Sequence, residues 1–148
     1  MIAVGSDHAG FTLKEEVIKH LKSKGLDIKD YGTTTIDSVD YPDYGLVVAE
    51  AVVSGECEKG IVICGTGIGI SISANKVPGT RAALCTNTTM AKLSREHNDA
   101  NVLALGERII GVSVALDIVD TWLETDFLGD RHNKRVCKIA GIDSKYKK

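Results

Sequence analysis

Five short apolar runs alternate with stretches of helical periodicity along this chain, and that alternation limits the possible folds more than any single residue does. The run Ile61-Val62-Ile63-Cys64 is apolar at every position, as expected of a strand buried on both faces of a parallel sheet. Parallel strands need right-handed crossovers, whose helices cover both faces. The pattern predicts an α/β fold with a five-stranded parallel sheet flanked by helices, its strands lying near residues 2–5, 26–31, 60–64, 81–85 and 101–105.

Boundary signals accompany several of the predicted helices. Thr12 and Glu15 have the spacing of a capping box at the start of the first helix. Pro42 follows Tyr41 and is suited to the first turn of the second helix. The run at 26–31 is the most polar and is expected near a sheet edge. A last helix is predicted over about residues 131–145.

Bulk properties exclude several classes of protein. A length of 148 residues fits a single domain spanning 1–148. The net charge of −2 gives no electrostatic footprint for nucleic acid or an anionic membrane. We expect no secretory signal and no membrane span, because the apolar runs are too short. Four cysteines without C-x-x-C spacing predict no metal site, and free thiols fit a cytoplasmic location.

The third predicted strand ends in Cys64 and opens into Gly65-Thr66-Gly67-Ile68-Gly69. Such a loop can aim several backbone N–H groups at one anion, and a thiol beside it could act as a base or nucleophile. Two simpler interpretations remain: a small buried cysteine, and glycines that only permit tight packing. The spacing is neither the dinucleotide-binding G-x-G-x-x-G nor a P-loop. The loop therefore favours chemistry on a small anionic substrate.

Other candidates are individually ambiguous. Asp7 and His8 directly follow the first strand, where they could share proton transfers or simply cap a turn. His97 could be an acid or a helix C-terminal residue. Arg131 and Arg135 are four apart, so they could bind one phosphate or form a solvated basic face, and Arg108 carries the same ambiguity. Carboxyl ends of parallel strands meet at one edge of a sheet, so Asp7 and Cys64 are expected there together.

Together these residues resemble the type B ribose-5-phosphate isomerases, a sugar-phosphate isomerase family that includes the galactose-6-phosphate isomerase subunits. The resemblance covers nearly the whole chain, and several motifs in order make it specific. The motifs are Gly5-Ser6-Asp7-His8-Ala9-Gly10, Asp40-Tyr41-Pro42, Cys64-Gly65-Thr66-Gly67-Ile68-Gly69, Ser73-Ala74-Asn75-Lys76, Ser94-Arg95-Glu96-His97-Asn98 and Gly129-Asp130-Arg131-His132.

The resemblance implies a Rossmann-like three-layer fold, no metal or other cofactor, and a homodimer whose active sites draw on both subunits, with the last helix contributing to the interface. Cys64 would be the base that moves a proton between C1 and C2. His97 would be the acid that opens the furanose ring, with Asp7 assisting. Thr66 and the backbone of Gly65, Gly67, Ile68 and Gly69 would hold the enediolate oxygens. Contacts to the phosphate and the sugar would come from His8, Tyr41, Asn98, Arg108, Arg131 and Arg135.

Two positions refine the implied activity. Some relatives carry a glutamate base where this chain has Ile70, so the chain resembles the cysteine-dependent form. Both Cys64 and His97 are present, which favours a self-sufficient homo-oligomer acting on ribose 5-phosphate. An isomerase of allose 6-phosphate or galactose 6-phosphate, a non-catalytic sugar-phosphate sensor and, more weakly, a redox protein remain alternatives. Whether dimers pair into tetramers stays open.

Overall fold

The computed structural model describes residues 1–147, and strands alternate with helices along almost all of that range. A short 3-10 turn, His8–Gly10, separates the first strand from the first helix. The strands are β1 Ile2–Ser6, β2 Ile28–Asp30, β3 Lys59–Cys64, β4 Ala82–Leu84 and β5 Val102–Gly106. The helices are α1 Phe11–Ser23, α2 Tyr41–Val53, α3 Ile68–Ala74, α4 Thr88–Glu96, α5 Val112–Glu124 and α6 Arg131–Tyr146.

The five strands form one parallel sheet in the order β2-β1-β3-β5-β4, which confirms the predicted fold class. β3 is central, with Ile61 in register with Val4 on one side and Leu103 on the other. β2 lies at an edge, as its polar sequence predicts. The chain leaves β1 toward β2 and returns to the other side of β1 as β3, so a switch point lies between the carboxyl ends of β1 and β3.

Hydrophobic layers cover both faces of the sheet. On one face α1 and α5 pack against Val4, Ile61 and Leu103, with Trp122 as the largest buried side chain. On the other face α2 packs against Ala3, Val62 and Ala104. The result is a three-layer sandwich in which β3 is buried from both sides. Among the described residues, no helix combines the length and the apolar character that crossing a membrane requires.

The predicted capping box at the start of α1 is wrong. Thr12 lies inside the helix, and the N-cap position is occupied by Gly10, which has no side chain that could accept a hydrogen bond from the first turn. Glu15 instead pairs with Lys14 at 2.9 Å. The physical reason is crowding, because a Cβ atom at Gly10 would lie 2.6 Å from the Ile63 carbonyl oxygen. Backbone packing against β3 therefore excludes the usual capping residues at this position.

The last helix, α6, leaves most of its surface uncovered. His132 is its one buried residue, and Asp143 accepts a hydrogen bond from the Gly79 backbone N–H at 2.8 Å. The apolar residues Ile139, Ile142 and Tyr146 are exposed. The helix thus has the predicted bounds to within one residue, and its place at a subunit interface stays a prediction.

Candidate active site

A cleft of about 520 Å³ opens at the carboxyl ends of β1, β3 and β5, beside the switch point of the sheet. The exit segments of these strands form its walls, and the first turns of α2 and α3 close its side. It contains most of the residues that the sequence singled out. The lining residues are Asp7, His8, Ala9, Tyr41, Cys64, Gly65, Thr66, Ile68, Gly69, Ile72 and Arg108.

Cys64 is the last residue of β3, and it lines the cleft although only 4% of its surface is exposed. Its Sγ atom accepts a hydrogen bond from the Gly67 backbone N–H at 3.1 Å. A backbone donor therefore points at the sulfur from the loop that follows β3. Cys64 is thus a buried member of a hydrophobic cluster that also forms part of the cleft wall.

Cys85 provides a contrast within the same chain. It is packed in the hydrophobic core, and burial raises the pKa of its thiol to about 11. Its sulfur lies 3.8 Å from the Ala83 carbonyl oxygen, which is an acceptor and gives a thiolate no stabilisation. Cys85 therefore stays protonated at neutral pH, although a hydrogen bond with the Ser94 side chain opposes the effect of burial on its pKa. It does not line the cleft, whereas Cys64 does.

The glycine loop owes its shape to two close approaches. Gly67 has a left-handed φ of +81°, and a Cβ atom there would lie 2.5 Å from Leu84 Cδ1. At Gly69 a Cβ atom would lie 2.5 Å from Cε1 of Tyr41, so that ring rests directly on the loop. The Thr66 hydroxyl oxygen accepts from the Ile68 N–H at 3.2 Å. The absence of a side chain at Gly67 thus lets the loop pack on Leu84 and Leu105, and its absence at Gly69 lets the Tyr41 ring rest on the cleft wall.

Asp7 and His8 are both held by backbone groups at the exit of β1. Asp7 Oδ1 accepts from the Gly10 N–H at 3.1 Å, so this buried carboxylate caps the turn and also lines the cleft. His8 Nδ1 lies 3.1 Å from the Val39 backbone N and 3.2 Å from the Val39 carbonyl oxygen. It accepts from the N–H in one neutral tautomer and donates to the carbonyl in the other, and in both the ring is held against Val39 at the cleft wall.

Arg108 supplies the cation of the cleft. Its backbone N–H donates to the Gly65 carbonyl at 2.9 Å, which fixes the segment after β5 beside the segment after β3. Its side chain lies over Gly65, where a Cβ atom would be 3.1 Å from Nη1. An exposed guanidinium at the rim is suited to a phosphate or carboxylate.

Five predicted site residues do not line this cleft within the described residues of one chain: Gly67, His97, Asn98, Arg131 and Arg135. Gly67 belongs to the cleft loop, where its N–H donates to Cys64 Sγ. His97 is the C-cap of α4, and its ring stacks on that of His132 in the first turn of α6. Asn98 lines a separate cleft of about 240 Å³ that also contacts Arg81 and Ile139. The structure therefore divides the predicted set into a cleft group and a group near the junction of α4 and α6.

Sequence reasoning missed two lining residues, Ala9 and Ile72. Ile72 lies one helical turn after Ile68 on the exposed side of α3, so its i, i+4 spacing was a usable signal. Ala9 carries no such signal, because only the turn after β1 brings it to the cleft. No cluster of three or more potential metal ligands occurs within residues 1–147.

Comparisons with known proteins agree with this geometry. The family model described as Ribose/Galactose Isomerase matches residues 2–139. Ribose-5-phosphate isomerase B of Escherichia coli is 49% identical over 144 residues, 97% of each chain. The solved structure of ribose-5-phosphate isomerase B from Clostridium thermocellum is 64% identical with a TM-score of 0.98, and 99% of each chain is covered. That of Thermotoga maritima is 51% identical with a TM-score of 0.93, covering 95% of this chain and 97% of the other.

Proposed function

The chain belongs to the ribose/galactose isomerase family and is an aldose–ketose isomerase, and from that premise we propose that it interconverts ribose 5-phosphate and ribulose 5-phosphate through an enediolate. The observation that carries the proposal is the contact between Cys64 Sγ and the Gly67 N–H, 3.1 Å apart at the edge of the cleft. This contact supports the proposal because a backbone donor points at the sulfur of the proposed base, within the loop that we propose holds the oxyanion.

Cys64 is the proposed base. Its thiolate takes the proton from C2 of the open-chain aldose, and the electrons of that C–H bond form the C1–C2 double bond while O1 becomes negative. The thiol then returns the proton to C1, the O2 hydroxyl gives up its proton and O1 gains one, which yields the ketose. The sulfur ends as it began, so no external oxidant or reductant is needed.

The glycine loop is the proposed oxyanion site. The activation barrier of this reaction comes mainly from the negative charge that develops on O1 and O2. Preorganised N–H donors stabilise that charge and lower the barrier, each typically contributing about 10²–10³ in rate. Gly65 and Gly69 line the cleft with their backbone, and the Thr66 hydroxyl adds a side-chain donor there. The Gly67 N–H is directed at the Cys64 sulfur instead.

Ring opening needs an acid, and the proposed acid is His97 with Asp7 assisting. His97 and Asn98 do not line the cleft of their own chain, so we assign them to the cleft of a second copy, in a homodimer with shared sites. The uncovered apolar side chains on α6 and the exposed Ile68 and Ile72 at the cleft rim support such a contact. Family resemblance points the same way.

The phosphate is proposed to bind to cations from both copies. His8 and Arg108 line the cleft, while Arg131 and Arg135 lie four residues apart in the first turns of α6 and would reach it from the partner. Tyr41 and Asn98 would contact the sugar. Binding energy at the phosphate holds C1 and C2 against the sulfur, which is how remote contacts accelerate the reaction.

Cysteine substitution tests the base. Cys64→Ala is expected to abolish both isomerisation and exchange of the C2 proton with deuterated water, while ribose 5-phosphate still binds. Cys57→Ala is the matched control, because Cys57 is also buried, at 1% exposure against 4% for Cys64, and does not line the cleft. Near wild-type turnover in Cys64→Ala would refute the assignment. The assay should include six-carbon aldose 6-phosphates, because galactose isomerases belong to the same family.

Subunit mixing tests the shared site. Cys64→Ala and His97→Ala homodimers are each expected to be inactive. In a mixed dimer one cleft receives both mutations and the other receives an intact Cys64 and an intact His97, so refolding the two variants together should restore activity. If each chain carries a complete site, mixing restores nothing.

A further inference from the structure

Helix α1 begins without a capping side chain of its own. Its N-cap is Gly10, and a Cβ atom there would collide with the Ile63 carbonyl oxygen at 2.6 Å. The N–H groups of the first helical turn have no intrahelical acceptor and need one from elsewhere. The helix follows directly on Asp7 and His8, so whatever satisfies these N–H groups also influences one wall of the cleft.

Glu107 supplies that acceptor from a segment 94 residues away. Its Oε1 accepts from the Leu13 N–H at 2.6 Å. A short, charge-assisted bond at the positive end of a helix is among the stronger contacts available to a partly buried carboxylate. Glu107 therefore acts as a remote cap for α1.

The same residue is bonded to the other walls of the cleft. The Glu107 backbone N–H donates to the Cys64 carbonyl at 3.0 Å, and that of Arg108 donates to the Gly65 carbonyl at 2.9 Å. On the other side, Asp7 Oδ1 accepts from Gly10 N–H at 3.1 Å, immediately before α1. Hydrogen bonds through Glu107 thus connect the segments that leave β1, β3 and β5.

We propose that Glu107 is a positioning residue which sets Asp7 and His8 relative to Cys64 and Arg108; this inference rests on the proposed isomerase function. Without its carboxylate the Leu13 N–H loses its acceptor, while the Phe11 N–H keeps the His8 carbonyl. The segment that carries Asp7 and His8 then loses its side-chain connection to the segment after β5 and can shift against β3. Displacements of about 1 Å in an active site can cost about 10²-fold in rate.

Two variants and a control test the proposal. Glu107→Ala removes the acceptor, and Glu107→Gln keeps an uncharged oxygen for the Leu13 N–H. Glu16→Ala is the control, because it deletes an exposed carboxylate from the same helix. Kinetics with ribose 5-phosphate are measured at a temperature where thermal denaturation shows each variant fully folded. We expect kcat/KM to fall about 10- to 100-fold in Glu107→Ala, to recover to within about threefold of wild type in Glu107→Gln, and to stay unchanged in Glu16→Ala.

Unchanged kcat/KM in folded Glu107→Ala would overturn the proposal, and so would an equal loss in the Ala and Gln variants. Hydrogen exchange of the Leu13 amide provides a readout that does not depend on catalysis. It should accelerate in Glu107→Ala and not in Glu107→Gln. If wild-type protein isomerises no aldose phosphate, the proposed function fails, and unchanged Leu13 exchange would then separately overturn the positioning role.

Discussion

The imidazole rings of His97 and His132 stack face to face, with centroids 4.3 Å apart and planes 14° from parallel. The stack joins the C-terminal end of α4 to the first turn of α6, and the Leu128 N–H strengthens that junction by donating to the Glu96 carbonyl at 3.1 Å. His132 is buried at the start of a helix that is otherwise exposed. The proposed acid His97 is therefore held against a second ring that can itself take up a proton.

This stack predicts a pH dependence of stability. Burial lowers the pKa of His132 below its ordinary value of 6.5, and the nearby His97, Arg131 and Arg135 lower it further, against a smaller opposing effect of Asp130. Below pH 6.5 the unfolded chain takes up a proton that folded His132 resists, so the free energy of unfolding should fall as the pH is lowered through that value. Urea denaturation at several pH values between about 7.5 and about 5 measures this change in the free energy of unfolding.

His132→Phe is the comparison that isolates the effect, because phenylalanine keeps a flat ring on His97 without a titratable nitrogen. We expect its unfolding free energy to fall less steeply than that of the wild type as the pH decreases. Parallel curves for the two proteins would show that His132 does not contribute to the pH dependence.

Gly67→Ala should destabilise the protein strongly, by about 2–5 kcal/mol. The left-handed φ of +81° strains any L side chain by about 1–2 kcal/mol, and the new methyl group would also press on Leu84 Cδ1 at 2.5 Å and on the Leu105 backbone. Gly55→Ala is the matched control, with a similar φ of +85° and open space around it. A loss no larger than in the control, measured by chemical denaturation, would mean that the loop relaxes around the methyl group.

Two neighbouring ion pairs should respond differently to substitution. The Lys14 side chain is completely buried and bonds both carboxylate oxygens of Asp30 at 2.9 Å. Lys14→Ala leaves Asp30 without a cation, although its Oδ1 still accepts from the Gly32 N–H at 2.9 Å. The substitution should cost about 2–4 kcal/mol, somewhat less than for a fully buried pair, because Asp30 is 35% exposed. Lys29→Ala breaks an exposed pair with Glu56 and should cost much less. Equal losses in urea denaturation would contradict this account.

Local patterns were sufficient to predict the strands and most of the helices. Each strand is a short apolar run, and the amphipathic helices before and after it already indicate that the strand is buried. In a parallel sheet the carboxyl ends of all strands lie at one edge, so the meeting of Asp7 and Cys64 there was also predictable. The strand order β2-β1-β3-β5-β4 was not, because right-handed crossovers allow several orders. The remote cap on α1 was not, because Glu107 and Leu13 are 94 residues apart and only the finished sheet brings them together. For the same reason the sequence could not place His97 away from the cleft of its own chain.

The contact between Tyr41 and Gly69 leads to a final prediction about substrate binding. Gly69→Ala would place a methyl group 2.5 Å from Tyr41 Cε1, and since the ring belongs to an exposed side chain at the start of α2, it can swing away at little cost to stability. The proposed sugar contact would be lost, so KM for ribose 5-phosphate should rise about 3- to 10-fold with little change in the unfolding midpoint. A double-mutant cycle provides the decisive control. In a Tyr41→Ala background there is no ring to displace, so adding Gly69→Ala should leave KM where Tyr41→Ala alone puts it, whereas additive increases would assign the effect to the loop backbone.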